Sequence, residues 1–147
     1  MGSRRKAREA TLQFLFQDDF NAEKGFVEQS LETRFEQFCS LYQISHKARP
    51  YAILLLAGIC NNRERIDQVV RDCATNWRLE RISVTDRNLL RVAVYEMLFG
   101  KDVPPRVAIN EAVEIAKRFG SGDSPAFVNG VLDAVRKRFE AVQASSC

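Results

Sequence analysis

The sequence is poor in the residues from which metal centres are built. Its 147 residues include one histidine, His46, and four cysteines. No two cysteines form a C-x-x-C pair, whereas a zinc site usually combines closely spaced cysteines with histidine. We therefore expect no metal and no cofactor, and we expect the thiols to be small buried hydrophobes in a reducing cytosol. The cysteines are Cys39, Cys60, Cys73 and Cys147.

Long apolar runs are also absent. The longest, residues 52–57, is far shorter than the roughly 20 residues that span a bilayer, and no secretory signal is visible. These absences favour a cytoplasmic protein with no membrane partner. Proline and glycine are scarce and fall mostly near predicted helix ends, which favours a helical chain with short connections. The net charge of +3 is too small to predict nucleic-acid binding by itself.

Motifs of catalytic chemistry are missing as well. The sequence has no glycine-rich phosphate loop and no nucleophile in a recognisable elbow. Glu111 and Glu114 lie one turn apart, but a helical carboxylate metal site also wants a Glu-x-x-His motif, which His46 does not complete. We therefore predict that the acids are solvated helix faces and that the chain is not an enzyme. A carboxylate-based metal enzyme stays an alternative, which elemental analysis would test.

The clearest helical signals lie in residues 107–133, where two patterns are joined by a turn between glycines. The proline pair at 104–105 suits the start of the first helix, and Gly120 is predicted to end it in the left-handed conformation. Ser124-Pro125 predicts the N-cap and first residue of the second helix. Gly130 costs about 1 kcal/mol relative to alanine inside a helix, which predicts a close backbone approach there. The apolar stripes are Ile109, Ala112, Val113, Ala116 and Phe119, then Val128, Val131, Leu132, Val135, Phe139 and Val142.

The first predicted helix, residues 4–20, begins with a concentration of positive charge. Its basic residues occupy the N-terminal end, where the helix dipole favours acids. Such a locally unfavourable placement is typical of functional sites, which favours a binding role for these residues. At 100° per residue, Arg5, Arg8, Leu12 and Phe16 fall along one side. Cationic groups beside an aromatic ring suit single-stranded nucleic acid, and the alternative is a solvated basic end with a core phenylalanine. The basic residues are Arg4, Arg5, Lys6 and Arg8, and the predicted core stripe is Ala7, Ala10, Thr11, Phe14 and Leu15.

The remaining patterns place further helices along the chain. Residues 26–43 predict a second helix after a turn at 21–25, and a third runs from about Ser45 to Cys73 with a weak point at Asn61-Asn62. Trp77 is predicted to anchor a short connector, residues 77–82, to the core. Ser83 resembles the N-cap of a helix that runs to about Phe99.

Together these patterns predict an all-α protein of about six to seven helices. Three amphipathic helices precede the connector and three follow it, which favours two packed three-helix subdomains. We place the N-terminal half at about residues 4–77 and the C-terminal half at about 78–143, within a single domain of residues 1–147.

The chain resembles the NusB family of bacterial transcription antitermination factors. Three segments produce the resemblance: RRKAREATLQFLFQ at residues 4–17, DRNLLRVAVYE at 86–96, and VAINEAVEIAKRFG with FVNGVLD inside 107–133. The last segment is the most specific, and the resemblance covers essentially the whole chain. It implies an all-α fold of two three-helix bundles, which agrees with the helix count.

The resemblance also implies a function. NusB-like proteins bind the single-stranded boxA element of nascent RNA together with the ribosomal protein NusE, and this supports processive transcription of ribosomal RNA operons by RNA polymerase. It therefore implies an RNA-binding role for the basic start of the first helix and for other positions that match the family's pattern. The predicted RNA-binding residues are Arg4, Arg5, Lys6, Arg8, Gln13, Phe16, Asp123 and Phe127.

A separate, acid-bearing face is the predicted site for the protein partner, because NusE is basic and exposed acids would complement it. The predicted partner residues are Asp86, Arg87, Tyr95 and Glu96. An alternative function is a helical protein-interaction scaffold without RNA binding, or a homodimer in which the basic helix is covered. Measuring the molecular size of the protein with and without boxA RNA would distinguish the RNA-binding hypothesis from the scaffold or homodimer hypothesis.

Overall fold

The computed structural model describes residues 2–23, 29–100 and 102–145. Within these ranges the chain forms seven α-helices, one 3-10 helix and no strand, which confirms the all-α prediction. The 3-10 helix, Leu79–Arg81, occupies the predicted connector. The α-helices are α1 (Gly2–Glu23), α2 (Leu31–Tyr42), α3 (Arg49–Asn61), α4 (Arg63–Cys73), α5 (Val84–Leu98), α6 (Pro105–Phe119) and α7 (Ser124–Ser145).

The helices form two compact units, Met1–Asn61 and Asn62–Cys147. The third predicted helix breaks at its weak point, since α3 ends at Asn61 and α4 begins at Arg63. The boundary between the units lies earlier in the chain than the predicted division near Trp77, because α4 packs against α5 and α7. The N-terminal unit contains three described α-helices, α1 to α3, and the C-terminal unit contains four, α4 to α7.

An aromatic cluster forms part of the core of the N-terminal unit. The ring of Phe14 on α1 meets Phe35 and Phe38 of α2 edge-on, at centroid distances of 5.7 and 5.5 Å. The Thr11 hydroxyl donates to the carbonyl oxygen of Ala7 at 2.8 Å, so this polar group is satisfied within the core. Every residue of the predicted α1 core stripe is buried, which confirms that prediction.

The start of α2 lies later than predicted. Ser30 has extended backbone angles, φ −63° and ψ 157°, and its Oγ accepts the N–H of Thr33 at 3.2 Å. This side-chain cap sets the helix start at Leu31 rather than near residue 26. Helix α1 continues to Glu23, into the segment predicted as a turn, and Val27 lies outside the described residues.

Helix α5 is the central element of the C-terminal unit and packs against α4, α6 and α7. The Oγ of Ser83 accepts the N–H of Asp86 at 3.2 Å, which confirms the predicted N-cap. Arg91 of α5 makes two hydrogen bonds to the carboxylate of Asp67 on α4, at 2.8 and 3.0 Å, and a third to Asn88 Oδ1 at 2.8 Å. All three residues are buried, so this ion pair connects α4 to α5 inside the core.

The turn between α6 and α7 is built differently from the prediction. Gly120 is extended, with φ −96° and ψ −174°, so the left-handed conformation predicted for it is wrong. Glycine is needed there for space, because a Cβ would lie 2.9 Å from the carbonyl oxygen of Ala116 and would clash with Ser124. Ser124 is already helical, and its Oγ accepts the N–H of Ser121 at 2.9 Å, so it ties the turn to the helix instead of acting as the predicted N-cap.

Gly130 lies in the interior of α7 and is exposed, and nothing lies within 4 Å of the position that a Cβ would take. The close backbone approach predicted there is therefore wrong. Since alanine is the better helix former, Gly130→Ala is expected to raise the free energy of unfolding by roughly 0.5–1 kcal/mol. Urea denaturation followed by circular dichroism measures this change. Gly120→Ala is the matched control and should destabilise the protein, and a lower midpoint for Gly130→Ala would contradict the prediction.

The described cysteines differ from one another in burial. Cys39 is buried, and burial raises the pKa of its thiol. Cys73 is half-buried, whereas Cys60 is exposed, so the prediction of a buried thiol is wrong for Cys60. Cys147 lies outside the described residues. Across the described ranges, no group of three or more His, Cys, Asp and Glu side chains is placed to hold a metal ion, and no helix has the length and apolar character needed to cross a membrane.

Candidate nucleic-acid interface

The eight predicted RNA-binding residues fall in both units, and each surface is described by itself. Six lie on α1 of the N-terminal unit. In the C-terminal unit, Asp123 immediately precedes α7 and Phe127 lies in its first turn. The predicted partner residues all lie on α5.

The basic start of α1 presents two exposed cations, Arg4 and Lys6, and one half-buried cation, Arg5. The guanidinium of Arg4 lies over the ring of Tyr51 on α3, 4.8 Å from its centroid. A cation held over a ring loses less freedom when it binds an anion, while its other N–H groups stay available. The first turn of α1 is therefore a fixed cationic surface suited to phosphate.

Arg8 does not belong to this exposed surface. Its relative exposure is 4%, and its guanidinium lies 5.8 Å from the centroid of the same Tyr51 ring. Leu12, which was placed on the same side of the helix, is buried too. The prediction that these side chains line one exposed side of α1 is therefore wrong for Arg8 and Leu12. Other residues of the unit cover more of the surface of α1 than is usual for a helix at a protein surface.

The exposed face of α1 follows a different line. Lys6, Gln13, Phe16 and Phe20 are all exposed, and at 100° per residue they fall within an arc of about 80°. Phe16 is 50% exposed, so a large part of its side chain is accessible for contact with a base. The structure thus brings a cation, an amide and two aromatic rings together along one side of the helix. Gln13 and Phe16 were predicted for this face, whereas Phe20 was missed although it follows Phe16 at helical spacing.

The second surface is a groove of about 340 Å³ in the C-terminal unit. It is lined by Phe127 and Asp123, both predicted for RNA, and by Trp77. The rings of Trp77 and Phe127 meet edge to face, with centroids 5.6 Å apart and planes at 74°. Trp77 is 55% exposed, so the prediction that it anchors the connector in the core is wrong. Its polar neighbours Thr75, Asn76 and Arg78 are the sequence signal that could have indicated exposure.

The predicted acidic partner face does not exist as an exposed surface. Glu96 is 2% exposed and Asp86 is 8% exposed, because α5 is surrounded by the other helices of its unit. Arg87 and Tyr95 are half-buried, and the Tyr95 ring stacks on Phe99 at 5.7 Å. Solvent therefore reaches Arg87 and Tyr95 on this face, whereas the two acids are buried.

Acids on α6 and α7 do lie on solvated helix faces. Glu114 accepts from Lys117 at 3.0 Å on α6, and Asp133 accepts from Arg136 at 2.8 Å on α7. Hydrogen bonds from Arg136 and Lys137 hold the pKa of Asp133 below its ordinary value. These carboxylates thus pair with cations one turn away, as expected for surface helices.

These features define an all-helical protein of two units, one with a cationic and aromatic helix face and the other with an aromatic, acid-lined groove. A sequence model of the NusB family matches residues 5–137. The transcription antitermination protein NusB of Desulfotalea psychrophila is 59% identical over 136 residues, which are 92% of this chain and 96% of the relative. This chain belongs to the NusB family.

Solved structures agree with this assignment. The T. maritima NusB structure is 41% identical, with a TM-score of 0.78 over 91% of this chain and 90% of its own. A crystal structure of antitermination factors NusB and NusE in complex with dsRNA contains a chain 25% identical to this one, with a TM-score of 0.79. The match covers 94% of this chain and 98% of that one.

Proposed function

We propose that this protein is a transcription antitermination factor that binds boxA-type single-stranded RNA together with NusE and so supports transcription of ribosomal RNA operons. It acts in the cytoplasm as part of the antitermination complex with RNA polymerase and catalyses no reaction. The observation that best supports RNA binding is the exposed α1 surface, where Arg4 and Lys6 precede Gln13 and Phe16. Membership of the NusB family supports the choice of boxA RNA, the NusE partner and the role in antitermination.

In this proposal the cations at the start of α1 hold the phosphates, and the exposed ring of Phe16 stacks on a base. Guanidinium and ammonium groups supply affinity without reading sequence, whereas aromatic side chains and amides hold the bases of an unpaired strand. Gln13 can donate and accept at a base edge. Phe16 carries no hydroxyl, so its role is stacking alone. Arg8, being buried, supports the helix start rather than the RNA.

The protein partner is proposed to contact α5 through its half-exposed residues. Arg87 and Tyr95 combine a cation and a phenol, and such residues are enriched in protein interfaces. Asp86 and Glu96 are too buried to attract a basic partner directly. NusE is proposed as the occupant because a family structure contains NusB and NusE in one complex with RNA.

RNA binding should show a moderate dependence on salt. If Arg4, Arg5 and Lys6 each neutralise one phosphate, the plot of log affinity against log salt concentration should have a slope of about −2, from −0.7 per contact on single strands. A gel-shift titration with boxA RNA over several salt concentrations measures it, and a scrambled RNA of equal length is the control. Stepwise addition of NusE should strengthen the boxA complex.

Equal affinity for boxA and scrambled RNA, with or without NusE, would contradict the proposed function. Sizing the free protein and its RNA mixture by light scattering tests the alternative. A homodimer that covers α1 and fails to bind RNA would favour the interaction scaffold instead.

A further inference from the structure

The ring of Tyr51 on α3 lies beside two cations of α1 that are one helical turn apart. The guanidinium carbons of Arg4 and Arg8 are 4.8 and 5.8 Å from its centroid, and a cation within about 6 Å of a ring centroid is attracted to the ring face. Arg4 is exposed, whereas Arg8 is buried at 4% exposure. One ring therefore connects the exposed cationic surface of α1 to a buried cation of the same helix.

Close packing of α1 against α3 fixes the position of this ring. Ala7 of α1 and Ala52 of α3 are fully buried, and Thr11 Oγ1 lies 3.5 Å from the carbonyl oxygen of Ala52. Ala52 follows Tyr51 directly in the sequence, so these contacts hold the backbone that carries the ring. The side chain of Tyr51 is itself half-buried. The ring is therefore in place before any ligand binds to α1.

A fixed ring matters for Arg4 because an arginine side chain at a protein surface is otherwise flexible. A long cationic side chain loses rotamer freedom when it binds an anion, and that loss weakens binding. Arg4 and Arg8 also repel each other, since like charges four residues apart on a helix are destabilising. The ring attracts both cations, so it offsets the repulsion that would turn Arg4 away from Arg8.

We propose that Tyr51 is a positioning residue for RNA binding, whose ring holds the Arg4 guanidinium in the orientation that receives a phosphate. The proposal rests on the proposed RNA-binding function and adds to it a residue that does not itself contact the RNA. The attraction comes from the face of the ring, so the hydroxyl of Tyr51 is not needed for it. Phenylalanine should therefore substitute for Tyr51, whereas an aliphatic residue should not.

Three variants of the full chain test the role of the ring, with fluorescence anisotropy of end-labelled boxA RNA as the measurement. Tyr51→Leu should weaken binding about three- to tenfold, which is the effect of one long side chain that has to be ordered on binding. Tyr51→Phe should bind within about twofold of the unsubstituted chain, because the ring face is kept. Tyr42→Leu is the matched control, since it removes another tyrosine of the same unit, on α2, and it should leave the affinity unchanged.

The salt dependence separates a positioning residue from a phosphate contact. Tyr51→Leu keeps all three proposed phosphate contacts, so the slope of log affinity against log salt concentration should stay at about −2. Arg4→Ala removes one contact and should change the slope to about −1.4. In a chain that already carries Arg4→Ala, adding Tyr51→Leu should weaken binding by less than about twofold, because Tyr51 acts through Arg4.

A variant of nearly equal size keeps the test decisive if Tyr51→Leu does not fold. Replacing Tyr51 by pentafluorophenylalanine keeps an aromatic ring but reverses its quadrupole, so the attraction for a guanidinium is lost. RNA binding should again weaken about three- to tenfold. A thermal melt of each variant shows whether the fold persists.

Three results would overturn the positioning role and leave the proposed function standing. The first is an unchanged boxA affinity in Tyr51→Leu or in the fluorinated variant. The second is an equal loss in Tyr51→Phe, which would assign the effect to the hydroxyl. The third is an undiminished effect of Tyr51→Leu in the Arg4→Ala chain, which would mean that Tyr51 contacts the RNA directly. Failure of the unsubstituted chain to bind boxA RNA would instead reject the proposed function, and the positioning role with it.

Discussion

Replacing Asp67 by asparagine is expected to lower the free energy of unfolding by about 3–5 kcal/mol. In the folded protein the Asp67 carboxylate accepts two hydrogen bonds from the buried Arg91 guanidinium, at 2.8 and 3.0 Å. The substitution removes the negative charge from this buried ion pair. Since domains of this kind are stable by only about 5–15 kcal/mol, the loss is a large part of the total. For about 150 residues it corresponds to a fall in Tm of roughly 10 °C, measured by calorimetry.

Two further variants show that burial is the reason for this effect. Glu114→Gln breaks the exposed ion pair with Lys117 and should cost less than about 1 kcal/mol. The double variant Asp67→Leu, Arg91→Met replaces the buried pair by apolar side chains and should recover much of the stability that Asp67→Asn loses. A cost for Asp67→Asn no larger than that of Glu114→Gln would show that the ion pair does not hold α4 to α5.

Reversing the charges of Arg4 and Lys6 to glutamate is expected to weaken boxA RNA binding by about 100-fold or more. Two charge-assisted phosphate contacts are lost, and two anions then face the strand. The slope of log affinity against log salt concentration should move from about −2 to about −0.7, since one of three contacts remains. The fold should persist because both positions are exposed and acids suit the start of a helix. Anisotropy titrations and a thermal melt measure both effects.

The matched control reverses the same number of charges elsewhere. Arg106→Glu with Lys137→Glu alters two exposed cations of the C-terminal unit and produces the same net charge. It should reduce RNA affinity by no more than a few-fold through the general field of the protein. Equal losses in the two double variants would mean that net charge, and not the start of α1, determines binding.

Local chemistry in the sequence was sufficient to predict most helix boundaries. The Ser83 cap, the proline pair before α6 and the polar Asn61-Asn62 break each act within one helical turn, so neighbours in sequence are enough to place them. The α1 core stripe follows equally from the helical period. The late start of α2 was missed because Ser30 was not recognised as a cap.

The exposure of the site residues was decided by the tertiary structure. The helical period shows on which face of a helix a side chain lies. It does not show how many other helices pack against that face. Arginine and glutamate are usually exposed and tryptophan is usually well buried, yet Arg8 and Glu96 are buried and Trp77 is exposed. The packing of the neighbouring helices decides this exposure. The sequence by itself therefore determined the helices and the cationic start of α1. Only the packing of those helices determined which cations remain exposed and which acids are buried.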